Sequence, residues 1–386
     1  RLDFAQTYLR GVVDPVQAMP TPLPQPRITT LHQPTSAQLA AKVEPTGSPA
    51  GTPAPVTLST PTPTRTPLPG SVTLDPPKWE KQDINNCGPA SLTMYLRFYG
   101  WDGDQKVIDQ VVKPEPEDRN VNPDELVYFV MNKVGWLKAM YRVGGDLNLL
   151  KGVLAAGMPV IIEETFRFDQ TYWPNDDKWA AHYLLLTGYD DAQQVFIGQD
   201  SFHGANQRVS YAQLDEYWQA FNRVYLLVYP PEKQEAIQSV LGANWDVDAN
   251  RVQALETAQK EAQAQPQNAF AWFNVGTNQL YFERYNEAAD AYDTARQVGL
   301  PQRMLRYQFG PFIAYFHSNR LDDLNSLTEY ALQRTPNSEE DLLWHGWALY
   351  RQGKTNDAID EFRKALKANF TYQDAKYALS FVGATP

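Results

Sequence analysis

The single cysteine of the chain, Cys87, stands where a helix is expected to begin. Gly88 and Pro89 follow it, and proline costs little at the first helical position because its missing N–H would be unpaired there anyway. Apolar side chains then recur at helical spacing, at Leu92, Tyr95, Leu96 and Tyr99. A thiol at a helix N-terminus faces unpaired backbone N–H groups and the positive end of the helix dipole, which both favour the thiolate. The pattern indicates a nucleophile, and a small buried hydrophobic residue is the alternative.

A cysteine nucleophile needs a base, and the base needs a group that orients it. His182 begins a strongly apolar strand, and the next strand along the chain ends at Asp200. If the two strands form a hairpin, Asp200 lies near His182, where it would fix the imidazole tautomer and stabilise the charged form. His203 is a second candidate for the base. The remaining histidines lie outside this part of the chain, at His32, His317 and His345.

Residues 78–230 have the pattern of an α+β domain, with helices first and strands after them. Besides the helix at Cys87, helices are expected after an N-cap at Asn122 and from Asp146. Strands are expected at 159–162, 183–187, 195–198 and 224–228. A hairpin turn at 190–192 makes part of the sheet antiparallel. Residues 166–181 break the strand pattern and predict a loop before His182, which is either a substrate-binding rim or an ordinary surface excursion.

The first 77 residues are expected to form an N-terminal segment and a linker. From Asp14 to Pro77 the chain holds 16 of its 29 prolines, with Thr, Ala and Ser between them. Such a segment cannot bury enough apolar surface to offset its ordering entropy, so we expect it to stay extended. It is typical of a stalk that holds a domain away from a cell surface, or of a plain linker.

Residues 231–386 predict an all-α region with a repeat of about 35 residues. The first copy carries Trp272, Gly276, Tyr292 and Pro301, and the third carries Leu342, Gly346, Phe362 and Ala365. These positions resemble tetratricopeptide repeats, whereas the middle copy lacks the small residue at the helix crossing. Three copies would form a short solenoid that binds a protein partner or substrate, or that packs on the α+β domain as a scaffold.

Composition narrows the class of partner. The net charge of −11 argues against nucleic acid and anionic membrane surfaces. No run of 18 apolar residues occurs, so no membrane span is expected. With one cysteine and no paired histidines at ligand spacing, neither a metal site nor another cofactor is expected. We expect an extracellular or cell-surface protein that is anchored through a segment N-terminal to residue 1.

Three motifs that contain the candidate catalytic residues resemble those of a known family. They are Asn85-Asn86-Cys87-Gly88-Pro89-Ala90-Ser91-Leu92, Ala181-His182-Tyr183 and Asp200. The family is the papain-like cysteine peptidases of the bacteriocin-processing type, which cleave leader peptides after double glycine. The resemblance spans roughly residues 78–229. It implies a papain-like fold with Cys87 as nucleophile, His182 as base and Asp200 as the residue that orients the base.

The resemblance also implies a glutamine upstream of the nucleophile that donates to the oxyanion hole. Gln82 is the match, five residues before the cysteine. Asn85 and Asn86 are the alternatives. The chain carries no phosphate-binding loop of a transporter, so leader-peptide export is not implied. Two further hypotheses are a catalytically idle domain that serves as an interaction module of a bacterial surface assembly, and an amidase of cell-wall peptides.

Overall fold

The computed structural model describes residues 9, 12–13, 18–23, 67–115, 120–171 and 177–385. The chain divides into two compact units, one of residues 1–22 with 68–386 and one of residues 23–67. Most of the proline-rich tract, with its expected stalk and His32, lies outside the described residues. Among the described residues, no helix is both long enough and apolar enough to cross a bilayer.

In the part of the chain that the structure describes, five α-helices belong to the α+β region, and local sequence explains where they start. An Asp146 carboxylate oxygen accepts the N–H of Leu149 at 2.7 Å, and Glu125 accepts the N–H of Asn122 at 2.7 Å in a capping box. Both predicted N-caps are therefore confirmed. The helices are α1 (Cys87–Phe98), α2 (Gln105–Val112), α3 (Pro123–Phe129, continued by the π-helical turn Val130–Val134), α4 (Leu147–Ala155) and α5 (Tyr211–Trp218).

The sheet has seven strands in the order β2-β7-β3-β4-β5-β6, with β1 paired to β4, and every pairing is antiparallel. The strands are β1 (Ser71–Thr73), β2 (Lys138–Arg142), β3 (Val160–Arg167), β4 (Trp179–Asp190), β5 (Val195–Asp200), β6 (Gly204–Ser210) and β7 (Tyr225–Tyr229). Four of them overlap the expected strands, and two of these four begin one residue later than predicted. Sequence analysis missed β2 and β6, which are polar or half-exposed, and β1, which lies in the range assigned to the linker.

Both faces of the central strands are covered, which explains their nearly continuous apolar sequence. Helices α1, α2 and α3 pack on one face against Ile161 and Leu185. Helices α4 and α5 pack on the other face against Val160 and Leu184. The loop expected at 166–181 is shorter than predicted, because β3 runs to Arg167 and β4 starts at Trp179.

A bulge between Leu186 and Gly188 interrupts the pairing of β4 with β5. A Cβ atom at Gly188 would lie 2.5 Å from the carbonyl oxygen of Val72, so β1 can reach β4 only because this residue is glycine. The four-residue connection after Asp190 confirms the predicted hairpin. It brings the end of β5 back beside the start of β4.

The C-terminal part is all-α, as expected, and contains three successive helical hairpins. Two helices precede them, and a single helix follows. The elements are α6 (Gln234–Leu241), α7 (Val247–Ala264), the hairpins α8 (Ala269–Tyr281) with α9 (Tyr285–Val298), α10 (Gly310–His317) with α11 (Leu321–Arg334) and α12 (Glu339–Arg351) with α13 (Thr355–Ala368), and α14 (Gln373–Phe381). A short 3₁₀ helix (Gln302–Arg306) joins the first two hairpins.

The predicted small residues lie where the paired helices cross. A Cβ at Gly276 would stand 2.7 Å from the Tyr292 ring, and one at Gly346 would stand 2.5 Å from the Phe362 ring. Real Cβ contacts are longer, so each glycine allows a tyrosine or phenylalanine to fill the space between two backbones. The same rings are fully buried.

One hydrophobic cluster joins the α+β part to the helical part. It contains Trp179 and Phe221 from the first and Phe273, Tyr292 and Phe312 from the second. The Trp179 ring stacks on the Phe221 ring at 5.7 Å between centroids. The helical region therefore packs directly on the strand that carries His182.

Replacing Gly346 with alanine tests the crossing. At an exposed position inside a helix, replacing glycine with alanine raises the free energy of unfolding by roughly 1 kcal/mol, because glycine loses more backbone entropy on folding. Here the overlap with Phe362 should dominate and lower the free energy of unfolding by about 1–3 kcal/mol, the typical cost of overpacking. Urea denaturation measures the change. Ser380→Ala, on the exposed side of α14, is the control and should change stability by less than about 0.5 kcal/mol. A gain in stability for Gly346→Ala would contradict the tight crossing.

Candidate active site

Cys87 is the first residue of α1 and is partly exposed. The helix is fixed against β4 by a hydrogen bond from Ser91 Oγ to the carbonyl of Tyr183, at 3.0 Å. Gly88 lets the first turn approach the Tyr183 ring, since a Cβ there would lie 3.3 Å from two ring carbons. The thiol is thereby held at the helix N-terminus, next to the start of β4.

His182 reaches both of its expected neighbours. Its Nε2 lies 3.0 Å from Asp200 Oδ1, and its ring also hydrogen-bonds the Cys87 thiol. With Nε2 engaged by Asp200, the other ring nitrogen serves Cys87. The side chain is only 4 % exposed, so water does not compete for these contacts. The structure thus brings together the three residues that the sequence singled out.

The carboxylate of Asp200 is fixed by more than the histidine. The backbone N–H groups of Phe202 and His203 donate to Oδ1 at 2.7 and 3.0 Å. His203 Nδ1 lies 2.8 Å from Oδ2, so this second candidate base contacts Asp200 and is not the group beside Cys87. Trp79 Nε1 donates to the Asp200 carbonyl at 2.8 Å. Asp200 is therefore fixed at both its backbone and its side chain.

The electrostatics favour a thiolate beside an imidazolium. Burial raises the pKa of the Cys87 thiol, but the hydrogen bond and positive charge of His182 outweigh it and leave the pKa below its ordinary value. Burial lowers the pKa of His182, but hydrogen bonds to Asp200 and Cys87 raise it to about 10. Burial likewise opposes ionisation of Asp200, whose pKa is nevertheless held well below its ordinary value by His182. The three groups are stable as a charged set.

Gln82 lies beside this set. Its backbone N–H donates to the carbonyl of Ser201 at 3.0 Å, and its side-chain oxygen accepts from Ser201 Oγ at 2.9 Å. This bond orients the amide and leaves its NH₂ without a hydrogen-bond partner among the described residues. The alternative donor, Asn86, is buried and uses its NH₂ on Gln105 and Asp109. Of the three residues that the sequence left open, Gln82 thus has an amide NH₂ available, whereas that of Asn86 is engaged.

Two carboxyl groups near the site were missed. Glu164 stands directly opposite His182 across β3 and β4 and is buried, with Oε2 unbonded to any described residue. Burial raises its pKa to about 8, while His182 lowers it and Asp200 raises it. Glu163 faces the other side of the sheet, where burial, and then the charge of Cys87, raises its pKa. The sequence feature that could have identified them is a pair of adjacent acidic residues inside an otherwise apolar strand.

The helical region also reaches the site. The Tyr307 ring packs edge-on against Trp179 at 5.9 Å between centroids, and its hydroxyl bonds the backbone of Ala181, next to His182. The N–H of Gln302 donates to Asp177 at 2.7 Å. Burial raises the pKa of Tyr307, and the negative charge of Cys87 contributes to that rise. No sequence pattern indicated this contact, because Tyr307 lies 125 residues beyond His182.

The sequence of this part of the chain matches a known family. Residues 73–226 match the model of the Peptidase_C39 like family. They form a C39-like peptidase domain. The helical region that follows consists of successive helical hairpins, as the repeat pattern in the sequence predicts. No match was found among the curated proteins.

Solved structures of low identity resemble parts of the chain. A protein described as a C39-like peptidase from Bacillus anthracis is 18 % identical, covering 41 % of this chain and 96 % of its own, with a TM-score of 0.33. The peptidase domain of Streptococcus ComA, a bifunctional ABC transporter, is 16 % identical over 39 % of this chain and 96 % of its own, with a TM-score of 0.30. YrrB, a tetratricopeptide protein with an unusual peptide-binding site, is 16 % identical over 34 % of this chain and 84 % of its own, with a TM-score of 0.20.

The pH dependence of Cys87 alkylation tests the charged pair. Because the thiolate is the reactive form, iodoacetamide should label the native protein with a midpoint well below about 8.5, the value of a free thiol. His182→Gln removes the positive charge and should move the midpoint upward, since burial then acts alone. Intact-mass spectrometry follows the reaction, which reports one residue because the chain has one thiol.

His203→Gln is the matched control for the alkylation experiment. His203 contacts Asp200 on the side away from Cys87, so its loss should leave the midpoint much closer to that of the native protein. Equal midpoints for the native protein and His182→Gln would contradict the pairing.

Proposed function

We propose that the protein is a cysteine peptidase that hydrolyses peptide bonds with Cys87 as nucleophile and His182 as acid and base. The observation that carries this proposal is the set of contacts at His182, whose Nε2 lies 3.0 Å from Asp200 Oδ1 and whose ring hydrogen-bonds the Cys87 thiol. A thiol that was only a structural hydrophobic residue would not need a charged histidine beside it.

In this mechanism the Cys87 thiolate attacks the carbonyl carbon of the scissile bond. The charge that develops on the carbonyl oxygen is stabilised by the Gln82 NH₂ and the Cys87 backbone N–H. The imidazolium of His182 then protonates the leaving amine, and an acyl-enzyme remains. Water attacks this thioester as neutral His182 accepts its proton. The acid product leaves, and the thiolate–imidazolium pair is restored.

Asp200 acts through His182. Its carboxylate accepts a hydrogen bond from the Nε2–H group, so the second ring nitrogen is available to Cys87 and the imidazolium is favoured over neutral imidazole. Ser201, the next residue, orients the Gln82 amide. The turn after β5 therefore supports both the base and the oxyanion donor.

The helical region is proposed to complete the substrate cleft. Tyr307 lies near Cys87 and next to the strand that carries His182, so a bound peptide would meet this ring as well as the C39-like domain. Recruitment of a protein partner by the repeats and a cell-surface location stay predictions.

Cleavage of a defined peptide library, followed by mass spectrometry, tests the activity. Cys87→Ala should abolish cleavage without loss of fold. Gln82→Ala should lower kcat by a factor of about 100 to 1000, the usual effect of removing one oxyanion-hole donor. Gln213→Ala, at an exposed position of α5, is the control and should retain full activity.

Two outcomes of the cleavage experiment would contradict the proposal. Full turnover by Cys87→Ala would exclude Cys87 as the nucleophile. A native protein with a reactive thiolate and no cleavage of any peptide would favour the idle interaction module.

The alkaline side of the pH profile should depend on Glu164. Its carboxyl is neutral below about pH 8 and negative above, and the negative form stabilises the imidazolium of His182. In Glu164→Gln that charge never forms, so the pKa of His182 falls. The alkaline limb of kcat/KM, expected near pH 10, should move to lower pH while activity below pH 7 stays nearly unchanged.

The control for this profile is Glu216→Gln, which removes an exposed carboxylate on α5 and should leave both limbs in place. An alkaline limb that stays fixed in Glu164→Gln would mean that Glu164 does not ionise beside His182.

A further inference from the structure

A buried arginine of the helical region faces a segment from the beginning of the chain. Arg296, near the end of α9, has a side chain that is 1 % exposed. Its Nη1 donates to the Tyr315 hydroxyl at 2.9 Å, and it lies 3.6 Å from the Asp323 carboxylate. Its Nη2 donates to the carbonyl oxygen of Pro20 at 2.5 Å.

The segment around Pro20 contacts this surface through one side chain as well as its backbone. Met19 packs against the hydrophobic cluster that contains Phe312 and Tyr315. Met19, Pro20 and Pro22 are partly buried, whereas Ala18 and Thr21 are exposed. Residues 18–22 form neither a helix nor a strand. The alternation of contacting and exposed residues is that of an extended peptide lying on a surface.

Arg296, Tyr315 and Phe312 form what we call the Arg296 surface. We propose that this surface of the helical region is a peptide-binding site and that residues 18–22 of the same chain are its tethered ligand. This inference does not depend on the peptidase activity. The site recognises an extended segment by its chemistry: a guanidinium that takes a backbone carbonyl, and an apolar cluster that takes an unbranched apolar side chain.

The partners of the Arg296 side chain make its hydrogen bond to the Pro20 carbonyl selective. Asp323 and the Tyr315 hydroxyl hold the guanidinium in one orientation, and its positive charge makes the hydrogen bond to a carbonyl stronger than a neutral one. The segment from 19 to 22 contains two prolines, which lack an N–H and have restricted φ. Their chain loses less entropy on binding than an ordinary segment would.

At two places that the structure describes, the proline-rich tract contacts the rest of the first unit. Within this tract, residues 18–22 contact the helical region and residues 71–73 join the sheet as β1. A tethered ligand acts at an effective concentration on the order of millimolar. It should therefore exclude free peptides of similar chemistry from the Arg296 surface until it is displaced.

The test is binding of a fluorescent peptide of residues 16–23 to the full chain, followed by fluorescence anisotropy. The native chain should bind this peptide weakly, because its own segment occupies the site. In Met19→Asp the tethered segment is weakened and the site opens, so affinity for the unchanged peptide should rise by about tenfold. Loss of the folded Arg296 surface would lower this specific affinity and not raise it.

Two controls sharpen the measurement. Thr21→Asp adds the same charge at an exposed neighbour and should leave the weak binding of the native chain unchanged. A labelled peptide that carries Met19→Asp should fail to bind the opened Met19→Asp chain.

Each of three outcomes would overturn the proposal. One is equal peptide affinity of the native chain and Met19→Asp, and another is absence of binding to both. The third is a native dimer in sedimentation velocity that Met19→Asp dissociates, because the segment would then belong to a second copy.

Discussion

The structure depends on keeping one histidine charged in a place that water barely reaches. Burial is the largest single influence on the pKa of His182 and acts against the charge. Two negative partners overcome it, Asp200 on one ring nitrogen and Cys87 on the other. Removing one partner of a buried charged group is costly, so the residues that hold these partners matter as much as the partners themselves. Most of the local architecture serves this purpose, from the turn after β5 to the anchored first turn of α1.

The neighbouring carboxyl groups show how environment decides protonation. Asp200 accepts two backbone N–H bonds and contacts two histidines, so it is ionised. Glu164 faces the same histidine from the other side, but one of its oxygens lacks a hydrogen bond to a described residue, so burial keeps it neutral to about pH 8. Two acids beside one base thus have different roles, as in sites where pKa values are pushed apart.

The helical region packs against the C39-like domain and contributes residues to its surroundings. It shares a core with the strand that carries His182, through Trp179, and it contributes Tyr307 near the thiol. The same region binds residues 18–22 through Arg296. The contacts with the strand that carries His182 and with residues 18–22 are therefore both made within a single packed unit.

Short sequence patterns are enough to predict the parts of this protein that depend on local chemistry. The N-terminus of α1, the caps at Asn122 and Asp146, the hairpin after Asp190 and the glycines at the helix crossings follow from short patterns, because caps, turns and close approaches each demand particular residues. The candidate set of Cys87, His182, Asp200 and Gln82 came from these patterns and from the family resemblance. Only the tertiary structure decided what lies beside that set. Glu164 enters the site by cross-strand register, His203 turns to Asp200 and not to Cys87, and Tyr307 and Pro20 meet partners more than 100 residues away. Such contacts arise from how whole elements pack, and no local spacing encodes them.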